Sequence, residues 1–143
     1  MQRFVRCSAS LFVSCIAVFV VGCADDGRVP TYEVNGRVQF ADGSPLKGGS
    51  IICLSDSDEG LSARGAIGED GTFALGTYEQ DDGAIAGRHM VMIDPPVPQN
   101  FNPDAGPAPK VIHDRYRQHH TSGLELTVAE DEPNEVTLEV SKK

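Results

Sequence analysis

The feature that most limits what this chain can fold into is the punctuation of its apolar residues. They come in short runs of period-2 alternation closed by Gly, Asp or Pro clusters, and no stretch shows helical periodicity capped at both ends. Tyr32, Val34, Val38 and Phe40 alternate with Glu33, Asn35, Arg37 and Gln39, the pattern of a strand with one face in a core. Gly36 interrupts the apolar face and predicts either a bulge or a close approach of other backbone. Comparable runs follow at 49–54, 63–67, 72–77, 88–93, 124–128 and 136–140. The intervals carry turn chemistry, notably Asp42-Gly43 and Asp70-Gly71, where Asp and Gly tolerate positive φ. Seven short strands so spaced predict an all-β fold, an antiparallel sandwich. The spacing predicts a hairpin joining 63–67 to 72–77 across Asp70-Gly71, and a terminal hairpin joining 124–128 to 136–140 with Pro133 at the bend. Val111 to His120 has room for one or two helical turns.

One connection breaks the rhythm. Residues 94–110, DPPVPQNFNPDAGPAPK, hold six prolines. A connection of that length inside a compact domain is either functional or an inserted spacer. Polyproline stiffness would make it stand out from the sandwich, where it would serve as a ligand for a partner or as a solvated link between two strands.

The amino-terminal segment has a different character. Arg3 and Arg6 precede a run, Leu11 to Val21, that is almost wholly apolar. This is the basic n-region and apolar h-region of a signal peptide, and it is shorter than the roughly 20 residues that cross a bilayer as a helix. Removing residues 1–22 takes away two arginines and no acid, which moves the formal charge from -9 to -11. An acidic chain without a Lys/Arg cluster lacks the electrostatic footprint of a nucleic-acid binder. Cys7 and Cys15 fall within the segment to be removed, leaving Cys23 at its end and Cys53 in the body.

Val20-Val21-Gly22-Cys23 resembles the lipobox of bacterial lipoproteins. The resemblance implies a diacylglycerol thioether on Cys23, cleavage between Gly22 and Cys23, and in many such proteins a further acyl chain on the new amino terminus. Two or three acyl chains anchor a protein stably without any polypeptide in the bilayer, since each buried methylene contributes roughly 0.8 kcal/mol. Ala24, rather than Asp, follows the cysteine; by the sorting rule of enteric-type lipoproteins this implies the outer membrane over the inner. Residues 23–31 then read as a polar tether, with order beginning near Tyr32.

Within 32–93, four motifs resemble carboxypeptidase regulatory-like, transthyretin-like domains: Val34 to Val38 (V-x-G-x-V), Asp42 to Gly48 (D-G-x-P-L-x-G), Asp70 to Phe73 (D-G-x-F) and Gly87 to Val91 (G-x-y-x-V). The closing stretch 112–128, IHDRYRQHHTSGLELTV, is similar to that of small bacterial lipoproteins built on the domain. The resemblance implies a seven-stranded Greek-key sandwich over 32–143, with 94–110 as a Pro-rich insertion. Its motifs are structural and bring no activity with them.

One transthyretin-like branch hydrolyses hydroxyisourate with a C-terminal Tyr-Arg-Gly-Ser. Here Tyr116-Arg117 is followed by Gln118, far from the terminal Lys143, so that signature is absent. His113, His119 and His120 lie within eight residues, beside Asp114, and offer a possible Zn or Cu site. Their spacing matches no standard zinc pattern, and adjacent His119 and His120 point to different sides of a helix or strand. Asp56-Ser57-Asp58-Glu59-Gly60 lacks the ligand offsets of a calcium loop, as does Asp81-Asp82, and both read as solvated loops. Cys53 sits in an apolar strand as an inert small hydrophobe, and His89 alternates with core-directed residues as a satisfied buried histidine. No nucleophile elbow, phosphate loop or dinucleotide fingerprint occurs, and nothing calls for a cofactor. The expectation is a lipid-anchored cell-envelope protein, its non-enzymatic sandwich facing the periplasm or exterior and presenting loops to a protein or surface partner. The alternative is a small-ligand or metal carrier built on His113, His119 and His120.

Overall fold

A computed structural model describes residues 27–57 and 60–143, so Cys23, the signal segment, Asp58 and Glu59 lie outside the described residues. The strands are β1 (Thr31–Tyr32), β2 (Val34–Phe40), β3 (Ser50–Ser55), β4 (Ser62–Ala66), β5 (Thr72–Ala74), β6 (Ala84–Ile85), β7 (Gly87–Asp94), β8 (Leu124–Val128) and β9 (Asn134–Val140). Four of them form an antiparallel sheet in the order β4-β3-β7-β8, three form a sheet in the order β5-β2-β9, and β1 pairs with β6. The seven strands of the two larger sheets are the seven that the alternation predicts. The domain is all-β, with the inward faces of both sheets contributing to one hydrophobic cluster.

Alternation decides which residues enter that cluster. Val34, Val38 and Phe40 of β2 are buried, as are Ile51 and Cys53 of β3, and His89, Val91 and Ile93 of β7. Each fully buried aliphatic side chain contributes roughly 1.5–3 kcal/mol. Gly36 marks a close approach and not a bulge, because β2 keeps unbroken register with both neighbours. A Cβ at Gly36 would stand 2.5 Å from the Phe73 ring and 2.5 Å from the Val136 carbonyl oxygen.

Two pairings differ from expectation. β8 and β9 do not form a hairpin: β8 pairs with β7, whereas β9 crosses to the other sheet. There β9 runs parallel to β2 from Val34↔Asn134 to Phe40↔Val140, so the arrangement is not purely antiparallel. Asn134 fastens the crossing. Its Oδ1 accepts from the Ala129 N–H at 2.7 Å, and its Nδ2 donates to the carbonyls of Ala129 and Glu33, each at 3.1 Å. Likewise β4 pairs with β3 and β5 with β2, and the expected β4–β5 hairpin is reduced to one bridge, Arg64↔Gly76. The Asp70-Gly71 turn is tight as expected, but it passes the chain between sheets. Alternation marks a strand and its buried face; it does not name the neighbour.

The topology gives the domain two poles. The chain enters at β1, whose Thr31 pairs with Ile85 just before β7 begins. At the far end of β7, Asp94 opens the Pro-rich connection, beside the start of β3. Entry and Pro-rich connection are thus separated by the length of β7, about 25 Å at roughly 3.3 Å per residue. The segment after the connection forms a 3-10 turn at Asp114–Arg117 and one helical turn, α1 (His119–Ser122), where the sequence has room for them. Among the described residues no helix is long and apolar enough to cross a membrane.

Candidate functional site

At the distal pole the connection 94–110 folds as a two-limbed finger. Its outgoing limb begins against Gly48 and Gly49. Gly49 has φ +96°, and a Cβ there would lie 2.5 Å from the Asp94 carbonyl oxygen and 3.1 Å from the Pro96 nitrogen. The tip is closed by local bonds. Phe101 N–H donates to the Pro98 carbonyl at 2.9 Å, and the Asn102 side chain accepts from Asp104 N–H at 3.0 Å, capping a 3-10 turn at Pro103–Ala105. Ion pairs flank the base: Arg117 with Asp94 at 3.4 Å, and Lys110 with Asp114. Between the limbs lies a gap of about 160 Å³ bordered by Pro95, Val97, Pro107, Pro109, Ile112 and Arg117. Beside the tip is a depression of about 340 Å³ bordered by Pro98, Phe101, Asn102, Pro107 and Pro109. Val97 is 58% exposed, the one large hydrophobic residue so exposed among the described residues.

The three candidate histidines have separate places. His113 precedes the 3-10 turn at Asp114–Arg117, where its Nδ1 accepts from Arg115 N–H at 3.2 Å. His119 and His120 open α1, with His120 exposed and His119 partly covered. The Nε2 of His119 is buried and has no hydrogen-bond partner among the described residues. No group of three or more His, Cys, Asp or Glu side chains converges to hold a metal ion among the described residues. Tyr116, between these histidines, is 1% exposed. Its hydroxyl receives Arg115 Nη2 at 2.6 Å and Ser141 N–H at 3.1 Å, tying this segment to the end of β9.

At the entry pole a different device holds the backbone. Asp82 accepts from the N–H groups of Thr77 at 2.6 Å, Tyr78 at 3.1 Å and Glu79 at 3.0 Å. Burial alone would raise its carboxyl pKa, but these three donors outweigh it and hold the pKa below the usual carboxylate value. Asp82 is therefore a structural acceptor and not part of a merely solvated loop; its place just before Gly83, at a loop's end, is the signal that could have marked it. Asp81 beside it takes φ +60°, in the left-handed region. The same economy recurs at Asp42, held well below the usual range by the Ser44 hydroxyl and Lys142, and at Asp70, held low by the Thr72 side chain and N–H. Asp56 pairs with Arg88, which also lies 3.6 Å from Glu125.

A broad groove of about 780 Å³ runs where β4 and β5 diverge, bordered by Arg64, Thr72, Phe73, Glu79, Asp81 and Glu135. Its glycine floor reflects close packing: a Cβ at Gly65 would collide with the Ala74 carbonyl. Inside the sandwich, Cys53 is wholly buried, and burial pushes its thiol up to about 12, which keeps it protonated and unreactive. His89 is 1% exposed, with its Nδ1 3.1 Å from the Gly87 carbonyl. Burial lowers its pKa, against a smaller opposing effect of that carbonyl.

Comparison with known proteins adds one solved structure. No protein-family model matches the sequence, and no curated protein matches it. A crystal structure of a DUF3823 family protein from Parabacteroides merdae ATCC 43184 is similar, with 19% sequence identity and a TM-score of 0.45 over 80% of this chain and 48% of that one. This chain thus spans about half the length of that protein.

Proposed function

We propose that this chain is a cell-envelope lipoprotein, acylated at Cys23, whose all-β domain is a non-catalytic binding module presenting its loops to a protein or surface partner. The observation that carries the reading is what the domain holds rigid. Side chains at Asp42, Asp70, Asp82 and Asn102 each accept from a backbone N–H and fix a loop. Cys53 and His89 are enclosed in the domain, at 0% and 1% exposure. Such an arrangement prepares a surface for recognition. The metal-carrier reading has the orphaned Nε2 of His119 behind it, but among the described residues no group of three or more His, Cys, Asp or Glu side chains converges there. The architecture, with three strands facing four, supports a transthyretin-type Greek key as the finer description of the sandwich.

In this reading the signal segment is cleaved after Gly22, and the acyl chains on Cys23 hold the protein to the outer membrane, with residues 23–30 as tether and Thr31, expected to be its last residue, already in β1. The test is membrane partition and intact mass of the full chain and of Cys23→Ser. The wild type is expected in the membrane fraction with added lipid mass, and the variant unlipidated and released from it. A soluble wild type with an unmodified Cys23 overturns the anchor.

A further inference from the structure

We infer that the finger 94–110 is the domain's docking element, and that its partner is another envelope protein offering an uncharged groove lined by Tyr or Trp. This rests on the binding-module reading above and names the surface that does the binding.

Three independent features point there. The first is charge. In a chain with 21 acids and 12 lysines and arginines, the stretch 95–109 carries a single charged residue, Asp104. The charged groups at the finger's base, Asp94, Lys110, Asp114 and Arg117, are engaged with one another. A partner can cover the limbs without stripping water from an unpaired ion.

The second feature is the donor balance of Pro95-Pro96-Val97-Pro98. Three of its four residues have no N–H, so the segment can accept hydrogen bonds but scarcely donate them. Surfaces that satisfy such a segment supply donors next to flat apolar faces, which is what Tyr hydroxyls and the Trp indole N–H provide. Pro95-x-x-Pro98 has the three-residue spacing that on a polyproline helix sets two prolines one turn apart; Val97 and Pro98 are exposed, and Pro95 and Pro96 half-buried. Proline φ is already fixed, so docking forfeits little backbone freedom. A hydrocarbon layer, by contrast, would offer no donors to the carbonyls of Pro95, Pro96 and Val97.

The third is position. The finger leaves the pole opposite the chain's entry, with the length of β7 between them. A domain tethered through its entry pole displays the finger away from its own membrane, toward other proteins.

The test places a photoreactive side chain at position 97 of the full chain, and in parallel at Glu130 near the entry pole and at Ser44 in the Asp42 turn, in cells that naturally produce the protein. The finger is supported by a defined protein adduct from position 97 whose cross-linked peptide contains Tyr or Trp. That adduct should be competed by a synthetic peptide of residues 94–110 and reduced about tenfold by Pro95→Ala with Pro98→Ala, compared at a temperature where both proteins remain folded. Adducts to lipid alone, or equal adducts insensitive to the proline changes, overturn it. Adducts from position 44 or 130 without one from 97 overturn the finger while sparing the binding module. No protein adduct from any of the three overturns both.

Discussion

The turn closed by Asp82 and the finger 94–110 are two solutions to one problem, a loop that must hold its shape. In the first, a carboxylate gathers three backbone N–H groups, so its order depends on that group being ionised and present. In the second, prolines fix φ and remove N–H groups, leaving fewer donors to satisfy. The Asp82 turn is stitched into the sandwich: Gly83 donates to the Leu75 carbonyl, and the following β6 pairs with β1. The finger closes its tip largely on itself. The difference is between a loop that belongs to the fold and one that the fold merely carries, and it can be broken from either side.

The largest effect is expected at the first loop. Asp82→Ala leaves the part-buried N–H donors of Thr77 and Tyr78, and the exposed one of Glu79, without their acceptor. Stranded buried donors cost about 1–3 kcal/mol, with a substituted apolar side chain offering no compensation. The domain should unfold at lower denaturant with an unchanged dependence on denaturant concentration. Asp82→Asn, which keeps one carbonyl oxygen, should recover part of the loss. A neutral Asp82→Ala would show that water serves those donors equally well, and the contrast between the loops would fail.

What the sequence disclosed follows the same division. Alternation located every strand of the two main sheets, because a half-buried strand must alternate whatever its neighbour. It could not show that β9 lies parallel to β2, since that depends on Asn134 clamping Ala129 and Glu33, a contact across a hundred residues for which no local pattern exists. The Asp70-Gly71 turn was legible as a turn, yet not as a passage between sheets. At the candidate site, proline density marked the finger. The exposure of Val97 and the pairing of Arg117 with Asp94 were not legible, because both depend on how two distant limbs meet.

The next effect is a dependence on acidity that reaches the core before it reaches the turns. His89 is buried, and burial lowers its pKa from the ordinary 6.5. Below 6.5 the unfolded chain takes up a proton that the folded chain resists, so stability falls as pH drops from 6.5 toward the folded value. Asp82 and Asp70 are depressed instead. Their contribution is fully present above the ordinary carboxylate value of 3.8 and is lost as pH falls through their folded values. Stability measured by denaturant titration should therefore decline in two stages. His89→Gln should flatten the first stage while leaving the second, whatever its own cost to packing. A single decline beginning only near the carboxylate range would show that His89 is protonated in the fold without penalty.

The smallest effect is expected in the finger. Pro107→Ala removes a φ restraint from the return limb and leaves the hydrogen bonds at the tip in place. Relaxing proline acts chiefly through the greater freedom of the unfolded chain, and costs about 0.4–1 kcal/mol where the native conformation suits the ring. The loss should lie within that range and be indifferent to pH between neutrality and the carboxylate range, because Asp104 is the one ionisable side chain within 95–109. The measurement is the same unfolding midpoint read at two pH values, set beside Asp82→Ala. A loss at Pro107 as large as that at Asp82 would mean that the finger is packed into the fold as firmly as the turn it was contrasted with. A small, pH-independent loss means that the sandwich folds without regard to the finger, whose proline-fixed limbs are then left for contacts outside the fold.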